Sequence, residues 1–198
     1  EIEIRKRIPA GAGLGGGSSD AATTLLALNH YWGVGLNQDQ LAKLGLQLGA
    51  DVPVFIYGKS AWAEGVGEQL TGVELPHSWY LIVVPECHVN TAEVFAAEEL
   101  TRNSLPITIR DYLNGSETAW ADTCGNDCLA VTLAQYPPVF SAYNLLKRWH
   151  NPRLSGTGGA LFCQFSSAEE ARSLQQKLPE DLRSYLVQSI EHPHRQSD

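Results

Sequence analysis

A dense run of glycines between Gly11 and Gly17 leads directly into Ser18, Ser19 and a helical pattern. Glycine tolerates positive φ and lets backbone N–H groups approach a ligand closely. The first N–H groups of a helix lack partners inside it, and the helix dipole adds partial positive charge there. Phosphate is the anion that such an end most often binds. We therefore expect a phosphate-binding loop, because a flexible Gly/Ser linker would not run straight into a helix.

Two familiar glycine motifs do not account for this loop. The spacing Gly11-x-Gly13-x-x-Gly16 matches the dinucleotide fingerprint, but that fingerprint needs a strand after the helix, and residues 37–48 have a helical pattern instead. The P-loop motif requires a lysine before its last hydroxyl residue, and this loop has none at that place. The phosphate loop therefore belongs to a third type.

The rest of the chain predicts a mixed order of helices and strands, which indicates an α+β fold. Strands are predicted at 2–7, 60–64, 69–75, 79–84, 160–165 and 184–190. Helices are predicted at 19–32, 38–48, 91–100, 107–113, 127–135, 139–149 and 168–178, with a short one after Asp51. Asn37 and Thr91 are expected to cap their helices, and either Ser18 or Ser19 the first one.

The composition describes a globular protein and excludes several kinds of partner. Hydrophobic residues make up 43% of the 198 residues and charged residues 18%. A net charge of −8 argues against nucleic acid, and no apolar run approaches the roughly 18 residues of a membrane span. The four cysteines, including Cys124 and Cys128, lack the spacing of a metal site or disulfide framework. We expect reduced thiols, a cytoplasmic protein and no catalytic histidine.

The loop and several later blocks resemble the GHMP kinases, a family of ATP-dependent small-molecule kinases. The matching stretches are the Gly-Leu-Gly-Gly-Gly-Ser-Ser-Asp-Ala-Ala loop, Gly49-Ala50-Asp51-Val52-Pro53, Ala63–Glu68, Asn126-Asp127 and Leu154–Gly158. The resemblance implies a GHMP-kinase fold with an incomplete N-terminal half like ribosomal protein S5 domain 2. A ferredoxin-like C-terminal half would follow. It places the domains at 1–77 and 78–198.

The pattern is most similar to the branch that phosphorylates a cytidine diphosphate-linked sugar alcohol in isoprenoid precursor biosynthesis. This resemblance implies ATP and Mg²⁺, with Ser19 as a metal contact. The residues implied to bind nucleotide are Lys6, Pro9, Gly11, Gly13, Leu14, Gly15, Gly16, Gly17, Ser18 and Ser19. The residues implied to bind the acceptor are Thr91, Phe95, Gly156 and Thr157, although Phe95 would equally suit a helical core position.

Asp51 has two interpretations that the sequence leaves side by side. The resemblance implies a general base that faces the acceptor hydroxyl. An aspartate before Val-Pro is also a good helix cap, as the residue types alone indicate.

The chain contains no methionine and opens in the middle of an alternating pattern, so we expect an N-terminal segment to be missing. The family block that carries an active-site lysine has no match here. Alternative functions are therefore another GHMP kinase, of the homoserine or mevalonate type, or an inactive fragment that only binds ligand. The sequence does not indicate an oligomeric state.

Overall fold

A computed structural model describes residues 1–7, 9–114 and 125–190, which form two compact units. The N-terminal unit comprises Glu1–Ala10 and Gly15–His77, with Ser189 and Ile190 from the end of the described chain. The C-terminal unit comprises Gly11–Leu14 and Ser78–Gln188. The domain boundary expected near residue 77 stays a prediction.

In the N-terminal unit, three helices pack around a small core next to a β-hairpin. The elements are α1 (Gly16–Tyr31), α2 (Gln38–Leu46), α3 (Val52–Tyr57), β1 (Ala61–Glu64) and β2 (Gln69–Gly72). The buried core residues are Ala22, Leu41, Val52 and Ile56, so each of the three helices contributes to one cluster.

The N-terminus of α2 is capped as the sequence predicts. The Asn37 side chain accepts a hydrogen bond from the Gln40 N–H at 2.9 Å, and the Gln40 side chain accepts one from the Asn37 N–H at 2.9 Å. This reciprocal pair is a capping box, which satisfies two donors that the helix itself leaves open.

In the C-terminal unit, helices pack against an antiparallel sheet. The elements are β3 (Trp79–Val83), α4 (Thr91–Ala96), α5 (Ile109–Asn114), α6 (Cys128–Gln135), α7 (Pro137–Leu146), β4 (Arg153–Leu154), β5 (Leu161–Phe165), α8 (Ala168–Gln175) and β6 (Ser184–Gln188). The strand order is β4-β5-β3-β6. This βαββαβ arrangement is ferredoxin-like and confirms the predicted α+β class.

The core of this unit lies between the sheet and its helices. Leu81, Val83 and Leu161 project from the two central strands and are fully buried. Val139 and Leu146 on α7 pack into the same cluster and are also fully buried. Leu174 on α8 joins the same cluster, so helices from the β3–β4 connection and from the β5–β6 connection both pack on the sheet.

One predicted strand is absent from the described residues, and one short strand was not predicted. Residues 1–7 form neither a helix nor a strand, and Ile2 and Ile4 are more than half exposed. Alternation suits a segment for a half-buried strand, but a strand also needs a hydrogen-bonded neighbour, and these residues have none in the described chain. The short strand β4 was missed because two residues carry too little pattern to detect. No described helix has the length and apolar character to cross a membrane.

The core location of Leu146 yields a stability prediction. Leu146→Ala should lower the free energy of unfolding by about 2–5 kcal/mol, because it removes buried contacts and leaves a cavity. Leu105→Ala is the matched control, since Leu105 is 90% exposed. Urea unfolding followed by tryptophan fluorescence measures both changes. Equal losses in the two variants would contradict the assigned core.

Candidate active site

The first helix begins earlier than predicted, and a glycine takes the place of the expected serine cap. Gly15 stands at the N-cap with φ 67°, in the left-handed region, and no side chain caps the helix. Because the chain enters α1 at Gly16, Ser18 and Ser19 lie inside the first turn. A side chain caps from the position before the helix. The expectation that Ser18 or Ser19 is the cap is therefore wrong.

The first turn of α1 presents backbone donors with no acceptor. The Ser19 N–H donates to the Gly15 carbonyl at 2.9 Å. The N–H groups of Gly16, Gly17 and Ser18 have no hydrogen-bond acceptor within the part of the chain that the structure describes. Three unpaired donors at the positive end of a helix of 16 residues favour an anionic ligand.

Lys6 lies at this same end of α1. Its ammonium Nζ donates to Asp20 Oδ2 at 2.6 Å, and it lies 3.5 Å from where a Cβ on Gly16 would stand. The Lys6 and Asp20 side chains are 42% and 37% exposed. The aspartate thus holds a positive charge beside the first turn, in a pair that a ligand can still reach.

Asp51 stands at the head of α3 with a free carboxylate. It occupies the N-cap position, but its side chain makes no capping bond and no other hydrogen bond to a described residue. Gly49, two residues earlier, lies beside α1, because a Cβ on Gly49 would be 3.8 Å from Ser18 Oγ. The local geometry therefore removes the capping interpretation and leaves an exposed carboxylate two residues after Gly49.

In the C-terminal unit, the segment Gly11–Leu14 packs against the turn at residues 155–160. The Ala160 N–H donates to the Ala12 carbonyl at 2.8 Å, and the Ser155 hydroxyl donates to the Gly13 carbonyl at 2.7 Å. Ala12 and Ala160 are buried together with Val84, and Leu14 packs against this cluster.

Only glycine fits at position 13. Its φ is 71°, and a Cβ there would lie 2.7 Å from the Gly158 carbonyl oxygen and would overlap the Ser155 carbonyl oxygen. Both the left-handed backbone and the close approach of the turn exclude a side chain.

Two polar side chains that sequence reasoning assigned no role hold the turn in place. Asn126 donates from its amide to the carbonyls of Leu154 at 3.1 Å and Gly156 at 2.7 Å. The fully buried Thr132 hydroxyl donates to the Thr157 carbonyl at 2.8 Å. Their partners lie 25–30 residues away in the chain, so no local pattern could have revealed these bonds.

The structure brings together two of the predicted acceptor residues. Thr91 Oγ1 and Thr157 Oγ1 are 2.8 Å apart, with Gly156 exposed next to them in the turn. Thr91 is the first residue of α4 rather than its cap. The Asn90 side chain caps the helix by accepting from the Ala92 N–H at 3.0 Å, because it occupies the position before the first turn.

Phe95 lies four residues after Thr91, on the same face of α4, and is 56% exposed. Exposure rules out the core position that the sequence had left open. Arg102 fixes the end of this helix, because its guanidinium donates to the carbonyls of Phe95 at 2.7 Å, Ala97 at 3.0 Å and Leu100 at 3.1 Å. The aromatic ring is therefore carried on a restrained backbone.

The remaining residues that the sequence singled out are Pro9 and the four cysteines. Pro9 is half-buried. Cys87, Cys128 and Cys163 are free thiols, and burial raises the pKa of Cys163 to about 12, so that thiol stays neutral. Cys124 lies outside the described residues. Within the described ranges, no three His, Cys, Asp or Glu side chains are grouped so that they could hold a metal ion.

Gly13 gives a prediction with a close control. Gly13→Ala should speed amide hydrogen exchange at residues 155–160 by at least about tenfold, because the new methyl group must displace the turn. Gly35→Ala has the same kind of backbone, with φ 73°, but open space around its Cβ, and should leave that exchange unchanged. Equal exchange in the two variants would contradict the packing described for Gly13.

Comparison with known proteins places these features in one family. Residues 1–59 match the model of the GHMP kinases N terminal domain. A relative from Pseudomonas paraeruginosa, named 4-diphosphocytidyl-2-C-methyl-D-erythritol kinase, is 49% identical over 94% of this chain and 64% of its own length. The relative of the same name from Nitrosococcus oceani is 54% identical over 86% of this chain and 59% of its own. The chain thus spans about three fifths of these curated relatives.

A solved structure agrees with the sequence matches. The crystal structure of a 4-(cytidine 5'-diphospho)-2C-methyl-D-erythritol kinase is 31% identical to this chain, with a TM-score of 0.75. The match covers 93% of this chain and 68% of the solved one. The glycine loop that opens α1 and the turn that packs on Gly13 therefore belong to a member of the 4-diphosphocytidyl-2-C-methyl-D-erythritol kinase family of GHMP kinases.

Proposed function

We propose that this chain provides the phosphate-binding and acceptor-binding elements of an ATP-dependent kinase that phosphorylates 4-diphosphocytidyl-2-C-methyl-D-erythritol. The observation that carries the proposal is the first turn of α1, where the N–H groups of Gly16, Gly17 and Ser18 lack acceptors within the described residues. The names of the relatives supply the substrate.

The proposed reaction transfers the γ-phosphoryl group of ATP to the 2-hydroxyl of the sugar alcohol. A new O–P bond forms at that hydroxyl, the bond between the β- and γ-phosphates breaks, and ADP leaves. Asp51 accepts the hydroxyl proton. Support for this role comes from its exposed carboxylate, which has no partner among the described residues, and from the place of Gly49 beside Ser18.

The nucleotide phosphates bind the glycine loop and the first turn of α1 in this proposal. The backbone donors hold the phosphate oxygens, and Lys6 adds positive charge from its pair with Asp20. Mg²⁺ would neutralise charge on the phosphates. Magnesium usually takes few protein ligands besides phosphates and water, so the Ser19 hydroxyl suits it although the described residues contain no acidic cluster.

The acceptor substrate binds the C-terminal unit in this proposal. Thr91 and Thr157 offer hydroxyls 2.8 Å apart, and Gly156 leaves the turn beside them open. The exposed ring of Phe95 provides a stacking surface for the cytosine base, an interaction worth about 1–3 kcal/mol in nucleic-acid complexes.

We further propose that residues 1–77 and 78–198 are the two domains and that the protein works in the cytoplasm on a small-molecule substrate. The change from one compact unit to the other between His77 and Ser78 supports the first statement. The net charge of −8 favours a small ligand over nucleic acid.

Asp51→Asn tests the catalytic base. The amide keeps the size of the side chain but cannot accept a proton, so we expect kcat to fall by about 10²–10⁴ while KM for both substrates changes little. Initial rates of ADP release from the natural polypeptide that carries these residues measure the effect. Asp39→Asn, at an exposed position in the first turn of α2, is the control. Retention of most of the kcat would remove Asp51 from the mechanism.

Lys6→Met tests the positive charge at α1. We expect nucleotide affinity to fall by about tenfold or more, because the variant loses a cation and leaves the Asp20 carboxylate unpaired beside the phosphates. The double variant Lys6→Met/Asp20→Asn should recover part of the loss. Calorimetric titration of the nucleotide measures these affinities. Lys59→Met, at an exposed position, serves as the control. If the changes in nucleotide-binding free energy from the two substitutions were additive, a paired role of Lys6 and Asp20 would be excluded.

The substrate itself is tested by a panel of acceptors. We expect ATP-dependent ADP release with 4-diphosphocytidyl-2-C-methyl-D-erythritol and not with homoserine or mevalonate. Turnover with one of the other acceptors would assign a different GHMP activity. Nucleotide binding without turnover on any acceptor would instead support a chain that only binds ligand.

A further inference from the structure

Residues 9–19, which include the proposed phosphate loop, contain no Lys, Arg or His. The chain has a net charge of −8, and the Lys6 ammonium is already paired with Asp20 at 2.6 Å. The segment Gly11–Leu14 and the turn at residues 155–160 contain no ionisable side chain. Phosphoryl-transfer sites need cationic or hydrogen-bond-donating groups to balance several phosphate charges. A further donor near the loop would therefore matter for binding.

His88 lies directly on this loop in the C-terminal unit. The residue belongs to the segment between β3 and α4, and its imidazole covers the Cα of Gly11. A Cβ on Gly11 would overlap Nδ1 of the ring and lie 2.5 Å from Cε1. Gly11 therefore needs to be a glycine for the ring to sit there, a constraint that the sequence pattern did not reveal.

The imidazole is exposed and has no hydrogen-bond or ion-pair partner among the described residues. Its own segment carries an exposed Glu86 and the neutral thiol of Cys87, whose pKa is raised by burial. The acidic residue on α4 is Glu93, which already accepts hydrogen bonds from Asn90 at 2.8 Å and the Tyr136 hydroxyl at 3.4 Å. The ring nitrogens of His88 are thus free to serve a ligand.

We propose that His88, whose ring lies on the segment Gly11–Leu14, contacts a phosphate group of a bound nucleoside phosphate. The affinity for that ligand then depends on pH. The inference rests on the proposed function, since it assumes that the loop binds phosphate. The ligand is a nucleoside di- or triphosphate. The shared phosphate chemistry comes either from the ATP side or from the cytidine diphosphate group of the acceptor.

The sign of the pH dependence follows from linkage. A phosphate beside an imidazole favours the charged imidazolium, so the binding of phosphate and the binding of a proton reinforce each other. The extra affinity is then fully present below the ordinary histidine pKa of about 6.5. It is lost as the pH rises above that range and the imidazole becomes neutral. Binding should therefore be tighter at pH 6 than at pH 8.5.

The experiment is a calorimetric titration of ADP and, separately, of CDP at pH 6.0, 7.0 and 8.5. The proteins are the unsubstituted chain, His88→Gln and His88→Phe, the last of which keeps an aromatic ring over Gly11. Protonation of the ligand itself affects all proteins alike and cancels in the ratio of Kd values. His30→Gln, at an exposed position near the end of α1, is the control.

We expect both His88 variants to weaken one ligand by about tenfold at pH 6.0 and by less than twofold at pH 8.5. A loss confined to ADP assigns His88 to the ATP side, and a loss confined to CDP assigns it to the acceptor. The role of His88 alone would be overturned if the ratio of the variant Kd to the unsubstituted Kd did not change with pH. It would also be overturned if that ratio equalled the one for His30→Gln. If the unsubstituted chain bound neither ligand, the proposed function would fail as well.

Discussion

The packing of the segment Gly11–Leu14 against the turn at residues 155–160 depends on the absence of a side chain at Gly13. Carbonyl oxygens of Ser155 and Gly158 occupy the space where a Cβ would stand, and the backbone has φ 71°. This close approach lets Ser155 and Ala160 hydrogen-bond to the segment Gly11–Leu14. A loop so rich in glycine would otherwise pay a large entropic cost to order, because glycine has the most backbone freedom to lose. Packing against the turn lowers that freedom before any ligand binds.

Side chains also restrain the helix that carries Thr91 and Phe95. The helix α4 has only six residues, too few to be stable alone. Asn90 caps its start, and Arg102 binds three carbonyls near its end. The exposed Thr91 and Phe95 therefore project from a fixed frame. Because this frame is already ordered, less entropy is lost when a ligand binds there. Thr91 and Phe95 can then contribute more to the affinity.

Local signals predicted much of the fold, and distant contacts explain what they missed. The hairpin around Gly65–Gly67 and the cap at Asn37 follow from turn chemistry and periodicity. The ferredoxin-like strand order was implied by the family resemblance instead. The helix start at Gly16 did not, because a left-handed Gly15 replaced the usual serine cap. The roles of Asn126, Thr132 and His88 depend on partners far away in sequence, which no pattern in a single chain reveals.

Nuclear magnetic resonance shows directly whether the first turn of α1 holds phosphate through its backbone. ADP with Mg²⁺ is titrated into the isotopically labelled chain while the amide signals of Gly16, Gly17 and Ser18 are followed. We expect the signals of these three amides to shift most, in a saturable manner, while those of Gly33 and Gly35 shift little. Saturable binding that left the three amides unmoved would contradict it.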